Sequence, residues 1–118
     1  MNQHNPLNIS PLDLHDLLNV DSSTKPIIVD VREDNELAIA PFTFSVLHLP
    51  LSKFKSWNDQ LGELLPIDKP IVVICHSGVR SLSFGIWLLE QGITQPVWNL
   101  EGGIDSWSIN VDESIPRY

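Results

Sequence analysis

Three short apolar runs decide what this chain can fold into: "PIIVDV" at 26–31, "IVVIC" at 71–75 and "PVWNL" at 96–100. Each is too short for a buried helix and too continuously apolar for a strand with one wet face. They read as strands covered on both sides, the situation of a parallel sheet. Parallel neighbours cannot be joined by hairpins, and the segments between these runs carry helical periodicity. The pattern therefore predicts an α/β fold: a three-layer α/β/α sandwich around a central, mainly parallel sheet of four to five strands.

The remaining elements follow from local signals. Ser10-Pro11-Leu12-Asp13 reads as a helix start, with Ser10 as cap, Pro11 in the first turn and Asp13 placed to close a capping box. Leu14, Leu17 and Leu18 form one face of that helix, and "NVDSSTKP" ends it. "SVLHL" at 45–49 is a strand stopped by Pro50. Phe54, Trp57, Leu61, Leu64 and Leu65 recur at helical spacing and predict one amphipathic helix ending before Pro66. A nearly all-apolar helix covers 81–91, with Gly92 at its C-terminal end. Gly102-Gly103 make a turn, a short helix starts over 104–107, and residues 7–9 suit a fifth, edge strand.

One domain fits 118 residues, with a core over about 7–108 and a C-terminal tail at 109–118. Seven basic against fifteen acidic side chains, a net charge of −8, argue against nucleic acid and anionic membrane surfaces as partners. The opening residues show no signal-peptide pattern, and no apolar stretch is long enough to cross a bilayer. A single cysteine forms no internal disulfide, so a reducing cytoplasm is the expected compartment. His4, His15, His48 and His76 are scattered without ligand spacing, so neither a metal nor another cofactor is expected.

In a parallel sheet all strands end on one side, and ligands bind there. That rim would gather Asp30-Val31-Arg32, Pro50, Cys75 and Glu101-Gly102-Gly103. Cys75 opens the loop His76-Ser77-Gly78-Val79-Arg80-Ser81, which leads directly into a helix. A free thiol is only slightly ionised at neutral pH. Inward-facing loop amides, the positive end of the helix and the Arg80 guanidinium would all favour S⁻ over SH. Gly78 gives the loop a backbone conformation closed to other residues. The acidic whole does not cancel this, because exposed charges are screened beyond about 8 Å. Two plainer readings stand beside it: Cys75 as a small core residue, and Arg80 as partner to an acid at a helix start. His76 and Ser77 on the same terms simply face water.

Three segments together resemble the rhodanese-like sulfurtransferase domain: "IIVDVREDNE" at 27–36, "IVVICHSGVRS" at 71–81 and "VWNLEGGIDSW" at 97–107. The likeness spans nearly the whole chain. It implies that Cys75 attacks the outer sulfur of a small donor anion such as thiosulfate, carries it as a persulfide and passes it to a thiol acceptor, which can be a protein. Residues 76–81 would hold the substrate. Asp30 would accept backbone or Arg hydrogen bonds that hold the rim together, Arg32 would partner it or another acid, and Gly102 and Gly103 would let the last loop pass close to the first. Trp57, Trp87, Trp98 and Trp107 are expected in the core.

Two departures from the family pattern stand out. Where the family shows Gly-His-Ile-Pro-Gly-Ala, this chain has "APFTFSVLHLP", read as lacking both the glycines and the histidine. Basic residues directly after the cysteine, frequent in thiosulfate-specific members, are replaced by His76 and Ser77. Two rivals remain open. A Cys-dependent phosphatase would place five residues between Cys and Arg, whereas four separate Cys75 from Arg80, and it would need an acid for the leaving group. A non-enzymatic binding or regulatory module would need a docking surface, for which Phe42 and Phe44 are candidates unless they pack into the core.

Overall fold

A computed structural model describes residues 5–20 and 25–118. The "DSST" stretch at 21–24, part of the expected stop of the first helix, lies outside the described residues, as do residues 1–4 with His4. Five strands, β1 (Leu7–Ile9), β2 (Ile27–Asp30), β3 (Leu47–His48), β4 (Ile71–Ile74) and β5 (Val97–Leu100), form one sheet in the order β1-β5-β4-β2-β3. Every pairing is parallel. β4 is the central strand and is buried along its whole length.

Side chains leave β4 alternately to the two faces. Val72 and Ile74 join a core with Leu14, Leu18, Leu100, Ile104 and Trp107, under α1 (Pro11–Asn19) and α6 (Gly103–Asn110). Ile71, Val73 and Cys75 join a second core with Trp57, Phe84, Leu88 and Val97, under α3 (Phe54–Trp57), α4 (Leu61–Leu64) and α5 (Val79–Glu90). Helices thus cover both faces, and among the described residues none is long and apolar enough to cross a membrane.

Local chemistry explains most boundaries. Ser10 Oγ accepts from the Asp13 amide at 3.1 Å and Pro11 opens α1. Leu14 and Leu18 are buried one turn apart, while Leu17, expected with them, is exposed. Gly92, just past α5, takes a positive φ of 85°. Two expectations need correction, and one helix is new. The single helix expected over 54–65 is broken: 3₁₀ turns at Leu51–Lys53 and Asn58–Gln60 alternate with α3 and α4. Asn58, Asp59 and Gly62 are weak helix formers, and Trp57 is held aside by its Nε1 bond to the Pro50 carbonyl at 3.0 Å. The strand expected over 45–49 shortens to two residues. α2 (Asp34–Ile39) was not foreseen; the Glu36 carboxylate closes its first turn by accepting the Glu33 amide at 3.0 Å.

Of the last ten residues, a C-terminal tail whose packing the sequence leaves open, Ile109 and Asn110 finish α6 and Ile115 returns to the core. Ile115 is 5 % exposed in the Trp107 core, and its carbonyl accepts from Ser108 Oγ. Phe42 and Phe44 are half-buried on Trp107, with ring centroids 4.6 and 6.3 Å away, so they serve packing rather than an open surface. Trp57 and Trp107 are buried as expected; Trp87 and Trp98 are half-buried against the two cores.

The tightest backbone approach lies at the rim. Gly103 has φ +63°, and a Cβ there would sit 2.5 Å from the carbonyl oxygens of both Cys75 and His76. Gly103→Ala is therefore expected to cost at least about 2 kcal/mol in urea unfolding. Gly62→Ala is the contrasting control: nothing lies within 4 Å of the new Cβ, and a helical Ala gains about 0.5–1 kcal/mol over Gly. Equal effects at the two positions would contradict this packing.

Candidate active site

The rim expected from topology is assembled. The Leu49 amide bonds the Asp30 carbonyl at 2.9 Å, and the Val31 amide bonds the Ile74 carbonyl at 3.1 Å. The Ile104 and Asp105 amides bond the Cys75 and His76 carbonyls at 2.9 and 3.0 Å. The ends of β2, β4 and β5 are thereby tied together by main chain alone.

Cys75 is 1 % exposed and directly follows β4. Its Sγ accepts the Gly78 amide at 3.1 Å and the Ser81 amide at 3.4 Å, and contacts Ser81 Oγ at 3.2 Å. Gly78, at φ +99°, makes the turn that aims these donors, and α5 starts at the next residue. Two main-chain donors and a helix start on one sulfur form an arrangement suited to negative charge.

Asn99 holds this loop, and the sequence reading missed it. Its Nδ2 donates to the Gly78 carbonyl at 3.1 Å and its Oδ1 accepts the Ser81 hydroxyl at 2.5 Å. The carbonyl of Gly78 can only accept, which fixes the amide's orientation. An asparagine inside the otherwise apolar "VWNL" was the available signal.

Arg80 takes a carboxylate partner. The guanidinium expected over the sulfur forms a two-pronged ion pair with Glu36, at 2.7 and 2.8 Å. Pairing with an acid at a helix start, one of the two sequence readings, is what these bonds show, and the guanidinium still lies close enough to Cys75 for their charges to interact. Glu36 also accepts from the Tyr118 hydroxyl at 2.9 Å. The hydrogen bonds from Arg80 lower the Glu36 carboxyl from an ordinary 4.5 to about 2, against the effect of its burial. The same pairing holds the Arg80 guanidinium above its usual range.

Asp30 and Arg32 are both fully buried and brace the rim as expected. Arg32 Nη2 lies 2.8 Å from Asp30 Oδ2, its Nε contacts both carboxylate oxygens, and its amide bonds Oδ1 at 3.1 Å. Burial opposes the Arg32 charge, but Asp30 and the Tyr118 hydroxyl outweigh it and the guanidinium is raised. Of the other loop residues, Ser77 and Val79 are exposed. His76 is half-buried rather than free in water, its ring 4.3 Å from that of Tyr118 and its Nδ1 without a partner. Gly102 and Gly103, with φ of 75° and 63°, bring α6 onto the loop as expected.

One departure read from the sequence is withdrawn. His48 stands two residues before Pro50, the spacing of the family's histidine and proline, and its Nε2 bonds the Arg32 carbonyl at 2.6 Å. The glycines are absent, but the histidine has a counterpart. Separately, a groove of about 360 Å³ lined by Leu61, Leu65, Ile67 and Leu88 contains no residue of the loop. Residues just ahead of β4 and β5 border it, so it lies at the opposite end of the sheet.

Comparison with known proteins agrees with this arrangement. A family model described as rhodanese-like domain matches residues 10–110. The rhodanese-like/PpiC domain-containing protein 12, chloroplastic, of Arabidopsis thaliana is 40% identical over 92 residues, 77% of this chain and 30% of that protein. The chain thus spans under a third of that relative. The thiosulfate sulfurtransferase GlpE of Haemophilus influenzae is 35% identical over 81 residues, covering 69% of this chain and 71% of its own. The crystal structure of a rhodanese-like domain protein from Staphylococcus aureus superposes with a TM-score of 0.73 at 26% identity, over 95% of this chain and 98% of its own.

The Glu36–Arg80 pair gives a pH dependence whose sign is fixed. With its carboxyl at about 2 in the fold and near 4.5 when unfolded, Glu36 binds fewer protons folded than unfolded between those values. Its contribution is complete above about pH 4.5 and is lost as pH falls towards 2. In urea melts across this range, the stability difference between wild type and Glu36→Gln should shrink on acidification. A difference independent of pH would contradict the pairing.

Proposed function

The chain belongs to the rhodanese-like domain family, and from that membership we propose that it is a sulfurtransferase working through Cys75. The observation that carries this reading is the sulfur's position: at the end of the central strand, receiving the Gly78 and Ser81 amides where α5 begins. The Cys75 thiolate attacks the sulfane sulfur of a donor. The new Sγ–S bond forms as the donor's S–S bond breaks, and the donor remnant leaves with the electron pair. The outer sulfur of the resulting persulfide then passes to the thiolate of an acceptor, returning Cys75 as thiolate.

Each part of the loop has a task in this cycle. Main-chain donors hold charge on sulfur without reorganising during the reaction. Asn99 fixes the loop through Gly78 and Ser81, and Asp30 with Arg32 fixes the rim beneath. With no second cysteine in the chain, the persulfide waits for an external acceptor, a small thiol or a protein. A reducing compartment such as the cytoplasm suits a lone reactive thiol.

Intact-mass measurement after incubation with a sulfane donor tests the assignment. The wild type should gain the mass of one sulfur, reversed by excess thiol, and Cys75→Ser should gain none. An adduct on both proteins, or on neither across thiosulfate and persulfide donors, would overturn it. An aryl phosphate hydrolysed in a Cys75-dependent way would favour the phosphatase instead.

A further inference from the structure

We infer that Glu36 sets donor choice by occupying the fork of Arg80, so that the sulfur this site accepts comes from a thiol persulfide rather than from a sulfur oxyanion such as thiosulfate. The inference rests on the sulfurtransferase reading and adds the substrate class to it.

An oxyanion donor is recognised through its oxygens, and a guanidinium does this best with two parallel N–H bonds. Arg80 is the cation carried by the loop itself, and both its terminal nitrogens are spent on Glu36. The carboxylate is firmly seated: 14 % exposed, and held in addition by the Glu33 amide and the Tyr118 hydroxyl. Thiosulfate would have to displace an internal anion already optimally placed, and would then bring two negative charges beside it. Among the described residues, three other cations also have carboxylate partners. Arg32 is fully buried on Asp30, Lys53 meets Asp34 at 3.0 Å, and Arg117 meets Asp105 at 2.8 Å.

What the mouth does present suits a carbon-bound sulfur. Val79 is 69 % exposed within the loop, and the rings of His76 and Tyr118 pack at a tilt with their centroids 4.3 Å apart. A persulfide needs no fork. Its outer sulfur is attacked by the Cys75 thiolate, the R–S–S bond breaks, and R–S⁻ departs with the electron pair. The proton of R–S–SH stays on the transferred sulfur, giving Cys75–S–SH. Thiosulfate in the same step would release sulfite, a dianion needing counter-charge that Arg80 has already committed.

The test compares initial rates of sulfur loading on Cys75, by mass, from cysteine persulfide and from thiosulfate. Wild type should load from the persulfide at least about tenfold faster, and Glu36→Gln should raise the thiosulfate-to-persulfide rate ratio by a similar factor. Gln keeps the shape and one acceptor oxygen: it can still take the Glu33 amide, but its NH2 replaces the oxygen that met the Tyr118 hydroxyl and one prong of Arg80, so the charge and that prong are removed together. A measurement on the wild type alone guards against a damaged variant: sulfate should slow persulfide loading no more than chloride at equal ionic strength. Thiosulfate loading as fast as persulfide in the wild type, an unchanged ratio in Glu36→Gln, or specific inhibition by sulfate would each overturn the inference while leaving sulfur transfer intact. No loading from either donor would overturn the sulfurtransferase reading itself.

Discussion

Two carbonyl groups govern the geometry of this molecule's rim. Those of Cys75 and His76 are taken by the first amides of α6. A trans peptide unit points its N–H opposite its carbonyl, so the amides of His76 and Ser77 are turned away from α6. The clamp requires β5 to lie beside β4, so that α6 starts next to the cysteine, and it requires a residue without Cβ where the backbones cross. Sheet order, a glycine and a loop conformation are thus one constraint seen at three scales.

Charge at the rim is arranged in pairs around that clamp. The buried Asp30–Arg32 pair connects through the Tyr118 hydroxyl to Glu36, and Glu36 to Arg80. A buried ion pair adds little net stability compared with apolar residues of the same shape, yet losing one partner strands the other at a cost of about 3–5 kcal/mol. Its value here is positional: it fixes where β2 ends and gives the next two links a defined height. The chain's net charge of −8 is therefore a poor guide to the rim, where opposite charges are paired and the sulfur receives two backbone amides.

Much of this was legible in the residues. Continuous apolar runs such as "IVVIC" can only be doubly covered strands, and parallel order then places Asp30, Cys75 and Gly102 on one side. The Asp30–Arg32 pairing, two residues apart at a strand end, was also readable. What escaped has a physical reason in each case. α2 holds together by a capping contact between Glu33 and Glu36 rather than by a buried face; it has no fully buried residue. The segment 54–65 keeps real helical spacing of its apolar residues, but Asn58, Asp59 and Gly62 break it into shorter turns. The partner of Arg80 lies 44 residues earlier, and no local rule reaches that far. Asn99 does lie in β5, but the residues its side chain holds, Ser81 and Gly78, stand 18 and 21 positions earlier, beyond any local rule.

Tyr118 is the chain's single tyrosine, and its ring and hydroxyl touch His76, Arg32 and Glu36 at once. Resonances of that one ring are free of overlap from any other phenol in the protein. They offer a built-in reporter, without label or substitution, of the packing that joins His76, Arg32 and Glu36.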